Sequence, residues 1–122
     1  MPDFSTFAKR LGLSFNNPDL LVEALTHRSY LNEHREYMGN HNERLEFLGD
    51  AVLELAVTDF LFKKFPAKPE GELTSYRAAL VNTVSLAESA QALGVSGFLL
   101  LSKGESRDTG RALHLEEQIG ER

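Results

Sequence analysis

The sequence predicts an all-α protein in which about five to seven helices pack around one long central helix. Apolar residues recur at three- and four-residue spacing along most of the chain, and glycine or proline separates these segments. Convincing alternation of apolar and polar residues, which a half-buried strand needs, is absent from the sequence. With 122 residues, the chain has the length of one ordinary domain.

The first third of the chain predicts two short helices and a loop. An apolar stripe over residues 4–11 predicts a helix that ends at Gly12, because glycine readily adopts the left-handed conformation that closes helices. Asn17 predicts the N-cap of the next helix, and Pro18 suits its first position. Residues 31–42 are polar and are predicted to form a loop.

The long helix is predicted over residues 43–64, since it must end before Pro66. A further helix is predicted to start at Glu70. The next is predicted to be capped by Thr83 and closed by Gly94.

The last third of the chain is less regular. Residues 95–101 are short and apolar and could form a strand or a helix, and residues 102–110 are predicted to form a polar loop. Residues 111–122 could form one short helix.

Composition excludes several functions. Without cysteine the chain has no disulfide, no thiolate metal site and no cysteine nucleophile. A net charge of −5 argues against a free-standing nucleic-acid binder, unless its acids hold divalent cations that meet the phosphates. The longest apolar region carries four acids and is no membrane span, and no secretory signal opens the chain, so we expect a cytoplasmic protein.

Four carboxylates share one side of the predicted long helix. On a wheel of about 100° per residue, Glu43, Glu46, Asp50 and Glu54 fall within an arc of about 80°. The rest of the circumference is largely apolar, which predicts a buried helix. We therefore expect the acidic stripe to face a cleft or an interface.

Such a row of like charges is unfavourable. Neighbouring carboxylates about 6 Å apart repel by roughly 3 kcal/mol at an effective dielectric of about 20. The acids could be protonated, could meet a cation from another helix, or could hold a metal ion, and an all-oxygen cluster suits Mg²⁺ or Mn²⁺. A solvated face or an ion-pair ladder is the plain alternative, and the pattern alone does not decide between them.

Residues 42–53, NERLEFLGDAVL, resemble the signature of the ribonuclease III family of double-strand-specific endoribonucleases. Similarity to this family extends over residues 1 to about 112 and includes four further segments. These are THRSY at 26–30, FP at 65–66 with EGEL at 70–73, RAALVN at 77–82, and KGE at 103–105 with GR at 110–111.

The resemblance implies an all-helical, Mg²⁺-dependent endonuclease domain acting on double-stranded RNA as a homodimer, with the signature helices at the interface. Products would carry a 5′ phosphate and a 3′ hydroxyl. On matching positions, Glu46 would be a metal ligand and Asp50 the second acid of the metal and water site. Glu43 would aid dimer or substrate contacts in the cleft, and Glu70 would support the site. Glu54 is expected to have a supporting or surface role.

Other residues of this region are expected to be structural. Arg44 is assigned a salt bridge, Asn42 the helix cap, and Gly49 a position that permits close helix approach. His34 and His41 lie in the polar loop without a partner at ligand spacing, so loop or capping roles are favoured over metal ligation.

The late acidic pair of the family is altered. Glu116 matches its glutamate and would be a third metal ligand, but Leu113 stands where the family has Asp. We expect residues 1–122 to form an endonuclease domain that is incomplete at its C-terminus, without a double-stranded RNA-binding domain.

Three functions remain open from the sequence. The first is a ribonuclease III-type endoribonuclease, weakened by the altered acidic pair. The second is a non-catalytic dimerisation or RNA–protein assembly module with the same fold. The third is a different metal-dependent phosphohydrolase on a helical scaffold.

Overall fold

The computed structural model describes residues 1–106, which fold into helices joined by short loops. In this part of the chain no strand forms, and extended residues pair at a single parallel bridge between Thr26 and Leu100. The all-α prediction is confirmed. The elements are α1 (Phe4–Arg10), α2 (Asp19–Ala24), α3 (Arg28–Glu33), α4 (Glu43–Lys64), α5 (Glu70–Leu80), α6 (Thr83–Leu93) and a short 3₁₀ helix (Val95–Phe98).

Three predicted helix ends are confirmed. Gly12 follows the C-cap of α1 with φ of 71°, and Gly94 closes α6 with φ of 73°. Both angles are left-handed, where a side chain would be strained. The long helix α4 ends at Lys64, before Pro66.

Several predicted starts are shifted. The predicted loop at residues 31–42 is wrong at its beginning, because α3 includes residues 31–33. Asn82, not Thr83, caps α6, since its Oδ1 accepts the N–H of Ser85 at 2.9 Å. The predicted start of α2 is wrong by one residue, because Pro18 is the N-cap and Asp19 the first helical residue, although Asn17 Oδ1 accepts the N–H of Asp19 at 3.1 Å.

Two further segments differ in part from the prediction. The ambiguous residues 95–101 form the 3₁₀ helix and then the bridge residue Leu100. The predicted loop at residues 102–110 contains helical residues at 103–106. Residues 107–122, which include the predicted tail helix and Glu116, lie outside the described residues.

The main apolar core joins α1, α2 and the 3₁₀ helix. Phe7, Leu21 and Leu25 are buried there, and Phe98 stacks on Phe7 with ring centroids 4.4 Å apart. Aromatic stacking and apolar burial together hold the N-terminal helices against the segment that follows α6.

The central helix α4 is much more exposed than its composition predicts. It packs against α5 and α2, and Leu61 is its one buried residue in residues 1–106. The side chains of Phe47, Leu55 and Phe62 are 85%, 71% and 69% exposed. The predicted buried helix is therefore wrong for this part of the chain, since these neighbours cover one side of it. Among residues 1–106, neither α4 nor another helix has the length and apolar character needed to cross a membrane.

A candidate acidic site on the central helix

The start of α4 is held by the end of α2. The backbone N–H of Asn42 donates to the carbonyl of Thr26 at 2.9 Å, and its side-chain Nδ2 donates to the carbonyl of Ala24 at 3.0 Å. Asn42 is the N-cap residue of α4, as predicted, but its side chain makes no capping hydrogen bond, and its amide nitrogen is bonded to Ala24 instead. Instead, His41 Nδ1 accepts the N–H of Glu43 at 3.4 Å.

The segment that receives Asn42 is itself fixed. Leu100 donates its N–H to the carbonyl of Leu25 at 2.8 Å and accepts the N–H of His27 at 2.9 Å. Thr26 is fully buried, and its hydroxyl donates to the carbonyl of Val22 at 2.6 Å. Buried polar groups without partners are costly, so this set of hydrogen bonds keeps the segment in one conformation.

Three of the four predicted acids line one open cavity of about 770 Å³. Their spacing of three and four residues turns them to the same side of α4. The fourth acid, Glu54, is not among the lining residues. The lining comprises Glu43, Glu46, Phe47, Gly49, Asp50 and Leu53 of α4, and Leu86 of α6.

Opposite charge neutralises one of these acids. Arg28 at the start of α3 places its Nε 3.4 Å from Oε1 of Glu43. The pair is well exposed and contributes little to stability, and it places a guanidinium group beside the Glu43 carboxylate. The carboxylates of Glu46 and Asp50 have no ion-pair or hydrogen-bond partner among residues 1–106.

These two carboxylates fit a hard divalent cation by donor type. Mg²⁺ in proteins commonly takes one or two carboxylates and keeps water or phosphate oxygens as its other ligands. Within residues 1–106, however, no three His, Asp or Glu side chains are grouped closely enough to hold a metal ion. Glu46 and Asp50 therefore offer part of a coordination sphere.

Glu70 lies apart from this cavity in the described part of the chain. It begins α5 and lines a different cavity, of about 450 Å³, with Lys68, Thr58 and Arg77. Within one chain, Glu70 does not share a cavity with Glu46 or Asp50. The expected supporting role therefore does not come from contact with them inside that cavity.

Arg44 does not make the salt bridge assigned to it within residues 1–106. It is not among the residues that line the cavity of Glu46 and Asp50, and it lines a neighbouring cavity of about 840 Å³ with Glu23, His41 and Glu43. Among residues 1–106, the cation that pairs with an acid of the cavity is Arg28 of α3.

Gly49 does not permit a close helix approach among the described residues. A Cβ atom built on it would meet nothing within 4 Å. Glycine in a helix interior costs about 1 kcal/mol relative to alanine, so its presence here is not explained by packing within residues 1–106.

The histidines of the described residues have the loop and capping roles that were predicted. His27 Nδ1 accepts the N–H of Ser29 at 3.1 Å and caps α3. His34 Nδ1 donates to the carbonyl of Tyr30 at 3.1 Å, and its ring stacks on that tyrosine. His41, the third of these histidines, accepts the N–H of Glu43 at the start of α4.

The fold and this site define the class of protein: a helical domain whose long helix carries an acidic cavity, lined by Glu43, Glu46 and Asp50. A family model described as Ribonuclease-III-like matches residues 17–115. The chain belongs to the ribonuclease-III-like family.

Curated relatives agree. The chain is 52% identical over 108 residues to Ribonuclease 3 of Bacillus cytotoxicus, and 54% identical over 108 residues to Ribonuclease 3 of Geobacillus sp. strain WCH70. Each match covers 88% of this chain and 44% of the relative. The chain thus spans less than half the length of these relatives.

Solved structures support the fold. Two structures of the nuclease domain of Ribonuclease III from Campylobacter jejuni are 42% identical to this chain, with TM-scores of 0.77 and 0.76. The matches cover 88% and 90% of this chain and 71% of each of those chains. One of them is described as having structural flexibility in a region involved in dimer formation.

Sequence reasoning did not assign Arg28 or Asn42 their observed contacts. The motif at residues 26–30 indicates only a family resemblance, although a cation from another helix is one of the three ways to neutralise the acids. Arg28 at position three of that motif was the available signal. Nothing in the sequence indicated that Asn42 would bond to Ala24.

Proposed function

We propose that the chain is the endonuclease domain of a Mg²⁺-dependent endoribonuclease that hydrolyses double-stranded RNA. One observation carries the proposal: Glu46 and Asp50, inside a ribonuclease-III-like signature, line one open cavity without a cationic partner among residues 1–106. Unpaired carboxylates on one helix face favour a cation, and a bound cation gives an acidic cavity affinity for phosphate.

Glu46 and Asp50 are proposed to bind Mg²⁺, for which Mn²⁺ can substitute, with Glu116 as a third ligand. Mg²⁺ bound there would activate water and neutralise charge on the phosphate in the transition state. The products expected from this chemistry carry a 5′ phosphate and a 3′ hydroxyl. The apolar side chains of Phe47, Leu53 and Leu86 line the cavity beside the acids.

Glu43 and Glu70 are proposed to support the cleft. Arg28 holds the Glu43 carboxylate at the rim of the acidic cavity, where it lines two neighbouring cavities. Glu70 lies in another cavity of the same chain, so we expect it to act on the substrate or across a dimer.

We propose that the domain works as a cytoplasmic homodimer through α4. Large apolar side chains of this helix are exposed, and Gly49 leaves space beside them. Exposed apolar patches of this kind mark interaction sites, and a twofold dimer is the commonest arrangement of identical chains.

A fluorescent hairpin RNA incubated with the chain and Mg²⁺ tests this function. We expect cleavage by the wild type and a loss of at least about 100-fold in Glu46→Gln and Asp50→Asn, because each removes a charged ligand. Glu54→Gln is the matched control, since it lies on the same helix outside the cavity and should cleave like the wild type. Cleavage that persists in both variants would refute the site.

A non-catalytic dimerisation or RNA–protein assembly module is the second candidate. Leu113 occupies the position where the resemblance places the first acid of the late pair, which favours loss of activity. This alternative predicts a dimer by light scattering and no cleavage at any Mg²⁺ concentration.

A further inference from the structure

The segment from Ala24 to His27 offers hydrogen-bonding groups to both of its sides. Leu25 and His27 turn a carbonyl and an N–H toward Leu100, with distances of 2.8 and 2.9 Å. Ala24 and Thr26 turn their carbonyls the other way, toward Asn42. The end of α2 and the residues that follow it are therefore hydrogen-bonded on two sides.

Asn42 occupies the second side of this segment with its backbone N–H and its side-chain amide. Its backbone N–H reaches Thr26 and its side-chain amide reaches Ala24, at 2.9 and 3.0 Å. A backbone carbonyl can only accept, so the atom facing Ala24 is the amide nitrogen and no carboxylate can take its place. Asn42 thus joins the start of α4 to Ala24, the last residue of α2, which lies 18 positions earlier in the chain.

The same residue leads directly to a proposed metal ligand. The carbonyl of Asn42 accepts the N–H of Glu46 at 2.8 Å, in the first turn of α4. Arg28, just beyond the anchoring segment, holds Glu43. The backbone of Glu46 is therefore connected to residues 24–26 through Asn42, and the side chain of Glu43 contacts Arg28.

The anchor is rigid enough to transmit a position. Thr26 is fully buried, and Ser29 accepts the N–H of Ser102 at 2.9 Å while its Oγ lies 2.7 Å from His27 Nδ1. Position and direction at the start of a helix fix where side chains one and two turns later project.

We propose that Asn42 is a positioning residue: its side-chain amide, bonded to Ala24, sets the rotation and axial position of α4 so that Glu46 and Asp50 converge on one cation. This inference rests on the proposed function, because it assigns the hydrogen bond a role in metal binding and hydrolysis.

Asn42→Asp separates positioning from capping. Aspartate is as good an N-cap as asparagine, so a capping role predicts wild-type behaviour. A positioning role predicts a defect, because the variant places a carboxylate oxygen against the Ala24 carbonyl. Asn17→Asp is the matched control, since Asn17 uses only its acceptor oxygen, on Asp19.

The experiment measures Mn²⁺ binding by electron paramagnetic resonance, hairpin cleavage, and hydrogen exchange of the Glu46 amide in the three proteins. For Asn42→Asp we expect a Kd for Mn²⁺ about tenfold weaker, a kcat about tenfold lower with unchanged KM for RNA, and faster exchange. Asn17→Asp should match the wild type. If Asn42→Asp is not folded by circular dichroism, Asn42→Ser, which removes the amide donor without adding a charge, replaces it.

Two results would overturn the proposal, and they differ. A wild type that binds Mn²⁺, together with an Asn42→Asp variant of equal affinity and kcat, removes the positioning role and leaves the proposed function intact. A wild type that neither binds Mn²⁺ nor cleaves RNA contradicts the proposed function, and the positioning role with it.

Discussion

Thr26 is the one buried polar residue among residues 1–106. It is fully buried, its hydroxyl donates to the Val22 carbonyl at 2.6 Å, and the hydroxyl of Tyr37 lies 3.4 Å away. A threonine rather than an apolar residue stands here because the α2 end and the loop before α4 both need a polar partner at this point.

Thr26→Val should lower the free energy of unfolding by about 1 kcal/mol, since valine keeps the shape but loses the hydrogen bonds. Urea denaturation measures this change in the free energy of unfolding. Thr74→Val, at an exposed position of α5, is the control and should change stability by less than about 0.5 kcal/mol. Equal stability of Thr26→Val and the wild type would mean that the buried hydroxyl contributes nothing.

Some residue contacts could be predicted from the sequence and others could not. Helical periodicity alone brought Glu43, Glu46 and Asp50 to one side of a helix, as observed. The contacts of Arg28 and Asn42 join residues 15 and 18 positions away, and local pattern carries no signal for such pairs. Local propensity predicts the N-cap position of Asn42 correctly, but its side chain bonds to Ala24 rather than to the first turn of α4.

At the scale of elements, the junction of α5 and α6 depends on one side chain. Asn82 Oδ1 accepts the N–H of Ser85, while Nδ2 donates to the carbonyls of Ala78 and Ala79 at 3.0 and 2.9 Å. It therefore satisfies the open ends of two helices at once. Leu86, one turn further on, lines the acidic cavity, so this junction positions part of the site.

Asn82→Ala should destabilise the chain by about 1 to 2 kcal/mol, because it removes the cap of α6 and two bonds to α5. Thr83→Ala should be close to neutral, since Thr83 is the first helical residue and alanine is the better helix former. Thermal unfolding followed by circular dichroism compares them. A larger loss in Thr83→Ala would restore the cap assignment made from the sequence.

The extent of α4 could be predicted from the sequence, but its exposure could not. Pro66 and the apolar period define its length, as observed. Burial depends on which other elements pack against the helix, and the apolar composition of α4 does not indicate which elements those are. Phe47 and Phe62 are exposed among residues 1–106 because α2 and α5 cover another side.

At the scale of the whole molecule, the acidic cavity and the exposed apolar face share one helix. Phe47 lines the cavity and is also among the most exposed apolar side chains of residues 1–106. A dimer formed through this face would bury apolar surface, which stabilises association by roughly 25 cal/mol per Å² buried. It would also bring two acidic cavities near each other. Association and the site are thus expected to be coupled.

Phe47→Glu should convert a dimer into a monomer, because it puts a charge on the proposed interface. The fold should survive, since Phe47 is 85% exposed within the described residues. Light scattering measures the mass. Met38→Glu, at an equally exposed loop position outside α4, should leave the dimer intact. A wild-type chain that is monomeric at high concentration would contradict the dimer.

The most direct measurement of the central claim is a Mn²⁺ titration of the chain followed by electron paramagnetic resonance. If the acids of α4 form a divalent-cation site, the wild type and Glu54→Gln should bind Mn²⁺ alike, while Glu46→Gln and Asp50→Asn should each weaken binding by about tenfold or more. Equal binding by all four proteins, or binding by none, would contradict the account.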